Sequence, residues 1–116
     1  MSSILIVEDE VLTNEYLEFV LEEAGYEAIP AASADEAIAV LEHREDVDLV
    51  VTDINLPGGL NGLQLAALVR NRWPAINIIV VTGYNAPRKE EIPLGSLFVP
   101  KPYSAQKMIE AVRHFQ

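Results

Sequence analysis

Three apolar runs in this chain show no polar alternation along their length: SILIV at 3–7, DLVVT at 48–52 and INIIVVT at 76–82. A strand with one solvated face alternates apolar and polar residues. A continuous run therefore points to a strand covered on both faces, as in a parallel sheet. Two shorter stretches, YEAIP at 26–30 and LFV at 97–99, bring the set to five. Helical patterns lie between most of them. Residues 10–24 carry Leu12, Tyr16, Leu17, Phe19 and Val20 at helical spacing, and Gly25 follows as a stop. Ser33-Ala-Asp-Glu36 is a capping box ahead of AIAVL. Residues 63–72 form a third helix, halted by Trp73-Pro74, and Ser104 opens a last one with Ala105, Met108, Ile109 and Val112 on one face. Strands alternating with helices give a doubly wound α/β fold. The 116 residues, half of them hydrophobic, suffice for one domain with its own core.

The rhythm fails once. GYNAPRKEEIPLGS, at 83–96, lies where a fourth crossover helix belongs, but Pro87 and Pro93 leave little room for one. A mostly irregular connection is expected, with one helical turn at Arg88–Glu91.

Charge and composition remove several functions. Net charge is −10, and no Lys or Arg precedes Arg44, whereas eleven Asp and Glu fall within residues 1–43. Nucleic acid and anionic membranes require a basic footprint, so neither is expected as a direct partner. There is no cysteine for a disulfide or thiolate metal site. No signal-peptide pattern and no apolar run near the ~20 residues of a membrane span occur. The expectation is a cytoplasmic protein.

In an open α/β sheet, ligands bind beyond the carboxyl ends of the strands. Glu8 and Asp9 follow the first strand, Asp53 the third, Thr82 ends the fourth, and Pro100-Lys101-Pro102 follows the fifth. Each has an ordinary reading: helix-start acids, a turn Asp, a strand-end Thr and a surface Lys. Together they define an edge with three acids, one hydroxyl and one ammonium. Clustered carboxylates call for a divalent cation, and carboxylate, carbonyl and water ligands suit Mg²⁺. An Asp carboxylate can also act as a nucleophile and become an acyl phosphate.

These residues, in the stretches ILIVEDE, DLVVTDINLPGGLNG, IIVVTGY and FVPKPY, resemble the receiver domain of bacterial two-component response regulators. The resemblance runs from Ile4 to about Phe115. It implies a five-stranded flavodoxin-like sheet of order 2-1-3-4-5, with the fourth crossover helix short or absent, and one receiver domain over 1–116. It implies Asp53 as phosphoryl acceptor; Glu8, Asp9, Asp53 and the Asn55 carbonyl as Mg²⁺ ligands; and Lys101 as the phosphoryl counter-charge. Thr82 and Phe98 become switch residues, and the peptide before Pro102 is cis. The donor would be a histidine kinase or histidine phosphotransfer protein, with a downstream protein partner beyond. Such a domain signals and catalyses only its own phosphorylation and slow dephosphorylation. His43 and His114 lie near helix ends away from the acidic edge, and Trp73 and Met108 read as packing residues.

Other readings remain at this point. The same domain could be cut from a hybrid histidine kinase or larger regulator, although the final helix ends at the C-terminus. A flavin module of this topology needs Gly, hydroxyls and N–H groups after the first strand, where this chain has EDEVLTN. An Asp-based phosphatase needs a second acid shortly after its nucleophile, where Asn55 stands.

Overall fold

The computed structural model of the protein describes residues 3–83 and 86–115. Its strands are β1 Ser3–Val7, β2 Glu27–Ala31, β3 Val47–Asp53, β4 Asn77–Thr82 and β5 Leu97–Pro100. They form one parallel sheet of order β2-β1-β3-β4-β5. Its helices are α1 Val11–Glu23, α2 Ala34–His43, α3 Gly62–Arg72 and α4 Ala105–His114. The fold is the flavodoxin-like arrangement that the resemblance implies, and element boundaries shift from the sequence reading by a residue or so. One shift matters: β3 runs through Asp53, which pairs with Val81. Asp53 is thus the last residue of a buried strand rather than the first of a turn.

The unbroken apolar runs are explained by two cores, one on each face of the sheet. Leu5, Val7, Val50, Ile78 and Val80 pack under α2 and α3, with Leu41, Leu65 and Val69. Ile4, Ile6, Leu49, Val51, Ile79 and Val81 pack under α1 and α4, with Leu17, Leu21, Met108 and Val112. Full burial of each such side chain contributes roughly 1.5–3 kcal/mol.

Helix ends follow the local chemistry. The Ser33 hydroxyl accepts from Glu36 N–H at 3.2 Å, while the Glu36 carboxylate accepts from Ala32 N–H at 3.0 Å. Ser104 caps α4 by accepting from Lys107 N–H at 3.1 Å. Asn61 and Gln64 form a reciprocal capping box on α3. Gly25 takes φ +97°, the left-handed conformation that ends α1.

The apolar spacing of α1 proved ambiguous. Leu17, Val20 and Leu21 are buried, joined by Asn14, whereas Leu12, Tyr16 and Phe19 face outward. The helix carries apolar residues on more than one face, so periodicity alone does not select the buried one. On α4 the buried line is Met108, Ala111 and Val112, with Ala105 and Ile109 half-exposed beside it.

Between β4 and β5, the regular element among the described residues is a single 3-10 turn at Lys89–Glu91. Arg88 N–H donates to the Glu91 carboxylate at 2.8 Å, closing it. Ile92 packs against the α2–α3 core, and Leu94 stands 97 % exposed. The Arg70 guanidinium on α3 fastens the far end, donating to the carbonyls of Pro74, Ile76 and Leu94 at 3.0, 3.2 and 3.3 Å. Tyr84 and Asn85, part of the expected irregular segment, lie outside the described residues.

Candidate functional site

Alternation along the strands sorts the candidate residues. Asp53 continues the parity of Leu49 and Val51, which face α1 and α4. Thr82 continues that of Ile78 and Val80, which face α2 and α3. Phe98 pairs with Val80 and Pro100 with Thr82, so Thr82 and Phe98 share one side of the sheet and Asp53 the other. Thr82 is buried, and its carbonyl accepts from Lys101 N–H at 2.9 Å. Phe98 is half-buried over a shallow cavity of about 310 Å³ that Pro102, Tyr103 and Lys107 also line.

Three charged side chains converge on the α1–α4 side. Lys101 Nζ donates to Asp53 Oδ2 at 2.7 Å and lies 3.6 Å from Glu8 Oε1. The other Asp53 oxygen accepts from Asn55 N–H at 3.0 Å. Glu8 Oε2 accepts from Glu10 N–H at 3.0 Å. Glu8 and Asp53 are buried, at 4 % and 7 % exposure. The peptide joining Lys101 to Pro102 is cis, as expected. Asp9 and Asn55 are exposed beside this group.

Burial holds the Glu8 carboxyl far above its ordinary 4.5, at about 7. The Glu10 N–H opposes that shift and the neighbouring Asp53 carboxylate adds to it. Burial works against the Lys101 ammonium, yet its hydrogen bond to Asp53 and the fields of both acids raise it above an ordinary lysine. Burial also pushes the Tyr103 phenol up to about 12. The pocket is thus short of positive charge, with one ammonium set against two buried carboxylates.

Among the described residues, no three acidic, histidine or cysteine side chains are gathered into a ready-made metal cage. Lys101 lies between Glu8 and Asp53 instead, since carboxylates without a cation repel. The donor set nonetheless fits a hard cation: all-oxygen ligands, two of them buried, with the Glu8 carboxyl raised first by its burial and then by the neighbouring Asp53 carboxylate.

Two contributors escaped the sequence reading. Gly62 opens α3 against the end of β3. A Cβ there would collide with the Asp53 carbonyl and stand 2.7 Å from the Ile54 Cα, so only glycine lets the helix seat against the strand that presents Asp53. Its N–H donates to the Ile54 carbonyl at 2.7 Å. The Asn61–Gln64 capping pattern around it was a legible signal. Asn14 is the second contributor. Trp73, Met108, His43 and His114 lie outside this site: Met108 is fully buried, Trp73 stacks under the Arg72 guanidinium at 4.3 Å, His43 bonds the Ala39 carbonyl, and His114 meets the Phe115 ring edge-on.

A parallel 2-1-3-4-5 sheet with an acid pair after its first strand, a buried Asp ending the third and a Lys after the fifth defines a phosphoacceptor signalling domain. The chain belongs to the response regulator receiver domain family, whose profile matches residues 4–113. Among relatives, the response regulator FleR of Pseudomonas aeruginosa is 34 % identical over 97 % of this chain and 24 % of that protein. The sensory transduction protein RegX3 of Mycolicibacterium smegmatis is 34 % identical over 97 % of this chain and 50 % of its own length. The chain therefore spans between a quarter and a half of these relatives. A receiver protein from Sinorhizobium medicae superposes with a TM-score of 0.90 at 28 % identity, covering 98 % of this chain and 93 % of that one. The Thermotoga maritima response regulator TrrA, solved with Mg²⁺ and BeF, superposes with a TM-score of 0.89 at 31 % identity over the whole of both chains. The flavin reading falls away with these matches. No described helix is long and apolar enough to cross a membrane.

Proposed function

We propose that Asp53 is the phosphoryl acceptor of this receiver domain and that the donor is the phosphohistidine of a histidine kinase or histidine phosphotransfer protein. One observation carries the reading: a buried Asp53 carboxylate held between the Asn55 N–H and the Lys101 ammonium, with the Glu8 carboxylate beside it. An Asp53 oxygen attacks phosphorus, the P–N bond to the donor imidazole breaks, and the imidazole leaves with the bonding pair and takes up a proton. The carboxylates of Glu8, Asp9 and Asp53 and the Asn55 carbonyl would hold Mg²⁺, which when bound supplies charge neutralisation for the phosphoryl oxygens. Lys101 then leaves its Asp53 oxygen for a phosphoryl oxygen. Thr82 and Phe98, on the other side of the sheet, are the switch pair: the new group adds roughly two negative charges and three acceptor oxygens, drawing the Thr82 hydroxyl toward it. Phe98 has no hydroxyl, so its part is packing alone.

A cleft of about 470 Å³ lined by Glu10, Thr13, Tyr16, Gly83, Lys101 and Tyr103 gives the donor its approach. Beside it, α1 exposes Val11, Leu12, Tyr16 and Phe19, with Leu12 at 80 %. Glu10, Glu15 and Glu22 are exposed along the same helix, which has no basic residue. That strip fits a donor helix with apolar centre and basic rim.

Incubation with acetyl phosphate and Mg²⁺ is expected to add one phosphoryl mass to the parent protein and none to Asp53→Asn. Equal labelling of the two would end the assignment. Leu12→Glu and Phe19→Glu are expected to keep acetyl phosphate labelling while slowing transfer from a phosphohistidine protein by about tenfold each, on the scale of ~1.4 kcal/mol at an interface anchor. Unchanged protein-to-protein transfer would move the docking face elsewhere.

A further inference from the structure

A buried asparagine interrupts the packing face of α1. Asn14 is 6 % exposed and lines up with Leu17, Val20 and Leu21, where an apolar residue would suit both helix and core. Its Nδ2 lies 3.1 Å from the Glu8 carbonyl, 3.2 Å from that of Ala31 and 3.4 Å from that of Ile6. An amide nitrogen carries two hydrogens, so the two shorter contacts are the principal bonds. Its Oδ1 is buried and has no hydrogen-bond partner among the described residues. That arrangement costs stability, and a local rule broken at a cost is the mark of a functional requirement.

The carbonyls identify the requirement. Ile6 belongs to β1, Ala31 ends β2, and Glu8 has just left the ladder. Glu8 is held through its N–H by the Ala31 carbonyl at 3.0 Å, through its carboxylate by Glu10 N–H, and through its own carbonyl by Asn14. The first two bonds lie within the β1–β2 edge and the turn that follows it. Among the described residues, the third is the one that ties Glu8 to the body of α1.

We propose that Asn14 is a positioning residue for the acidic pocket, fixing the Glu8 backbone and so the aim of the Glu8 carboxylate toward the cation site. The proposal rests on the Mg²⁺ reading above and names a residue outside the pocket itself. Outer hydrogen-bond partners of metal ligands typically contribute ~10–100-fold to metal affinity, and Asn14 acts at that remove.

The test compares full-length parent, Asn14→Leu and Asn14→Gln by Mg²⁺ calorimetry, urea unfolding and amide hydrogen exchange at Glu10 in metal-free protein. The Leu variant removes the donor and the orphan oxygen together. It is expected to unfold at a urea concentration no lower than the parent, to bind Mg²⁺ at least tenfold more weakly, and to exchange the Glu10 amide faster as the Glu8 carboxylate loses its aim. The Gln variant, which keeps a donor, recovers part of the affinity. A Leu variant with parental Mg²⁺ affinity and Glu10 exchange overturns the proposal. So does a Leu variant that fails to fold alongside a Gln variant that is destabilised yet binds Mg²⁺ normally, since Asn14 would then serve the core alone. Parent protein that takes up no Mg²⁺ brings down the underlying reading instead, a result the variants do not mimic.

Discussion

Replacing Lys101 by methionine is expected to slow phosphoryl incorporation from acetyl phosphate by on the order of 10²–10³-fold, the usual effect of removing one preorganised group that stabilises developing charge. Methionine keeps the length and apolar stem of lysine and deletes only the ammonium, which meets Asp53 at 2.7 Å and Glu8 at 3.6 Å. Without it, two buried carboxylates face each other uncompensated. Breaking a buried pair costs about 3–5 kcal/mol. The Lys101 side chain is 29 % exposed and Glu8 can take a proton, so a loss of ~1–3 kcal/mol in metal-free protein is the better expectation. The same variant should bind Mg²⁺ at least as tightly as the parent, because the ammonium competes for the two carboxylates. Opposite signs in the two measurements, slower labelling with undiminished Mg²⁺ uptake, separate loss of chemistry from loss of fold. Labelling at the parental rate would remove Lys101 from the reaction.

Metal-free protein is expected to lose stability as pH rises from about 5 to about 8. The Glu8 carboxyl stands at about 7 in the folded protein against 4.5 ordinarily, so between those values the folded chain holds a proton that the unfolded chain has released. Stability rises with pH where the unfolded state binds more protons; here it binds fewer, and stability falls. The contribution is fully present below about 4.5 and is lost through about 7. A gap of that size corresponds to at most about 3 kcal/mol, or a fall of roughly ten degrees in Tm for a domain of this length. Glu27, Asp46 and Glu91 are held low by their partners. Their stabilising effect is present above the ordinary carboxylate range and lost only at more acidic pH, so they leave the neutral window to Glu8. Saturating Mg²⁺ should cancel the fall, since a divalent charge beside Glu8 stabilises the ionised carboxylate and offsets the cost of its burial. Thermal melts in chelator at several pH values check this; stability that climbs across the same window would show that Glu8 is not the buried, proton-holding group.

The legible part of this protein was whatever the sequence writes locally. Unbroken apolar strands, Ser33 and Ser104 caps, and the breaking prolines at 87 and 93 all act within a few residues, and the elements follow them. Asp53, Glu8 and Lys101 were readable because strand ends converge on one edge in any parallel sheet of this order. Asn14 and Gly62 were not. Asn14 carries no local signal of its own, and its burial follows from which side of α1 meets the sheet. Gly62 stands just ahead of the helix read at 63–72, and its importance is a close approach between the start of that helix and the Asp53 carbonyl, which no spacing records. Arg70, which the sequence did not single out, joins the Pro74 and Ile76 carbonyls ahead of β4 to the Leu94 carbonyl 24 residues from it.

The alternation of β4 and β5 makes the sheet a partition with separate rooms. Glu8, Asp53 and Lys101 occupy the room roofed by α1 and α4; Thr82 takes the parity of the opposite face, and Phe98 with it, at an edge that Phe98 shares with Pro102, Tyr103 and Lys107. On the proposed reading, delivery of the phosphoryl group and its interpretation use different faces of the sheet that meet at Pro102 and Tyr103, which line both the donor cleft and the Phe98 cavity. A further join is the Lys101 N–H bonded to the Thr82 carbonyl across two strand ends. Changes at the outer face of α1 are therefore expected to alter who speaks to Asp53, whereas changes at Pro102 or Tyr103 should be felt by speaker and listener alike.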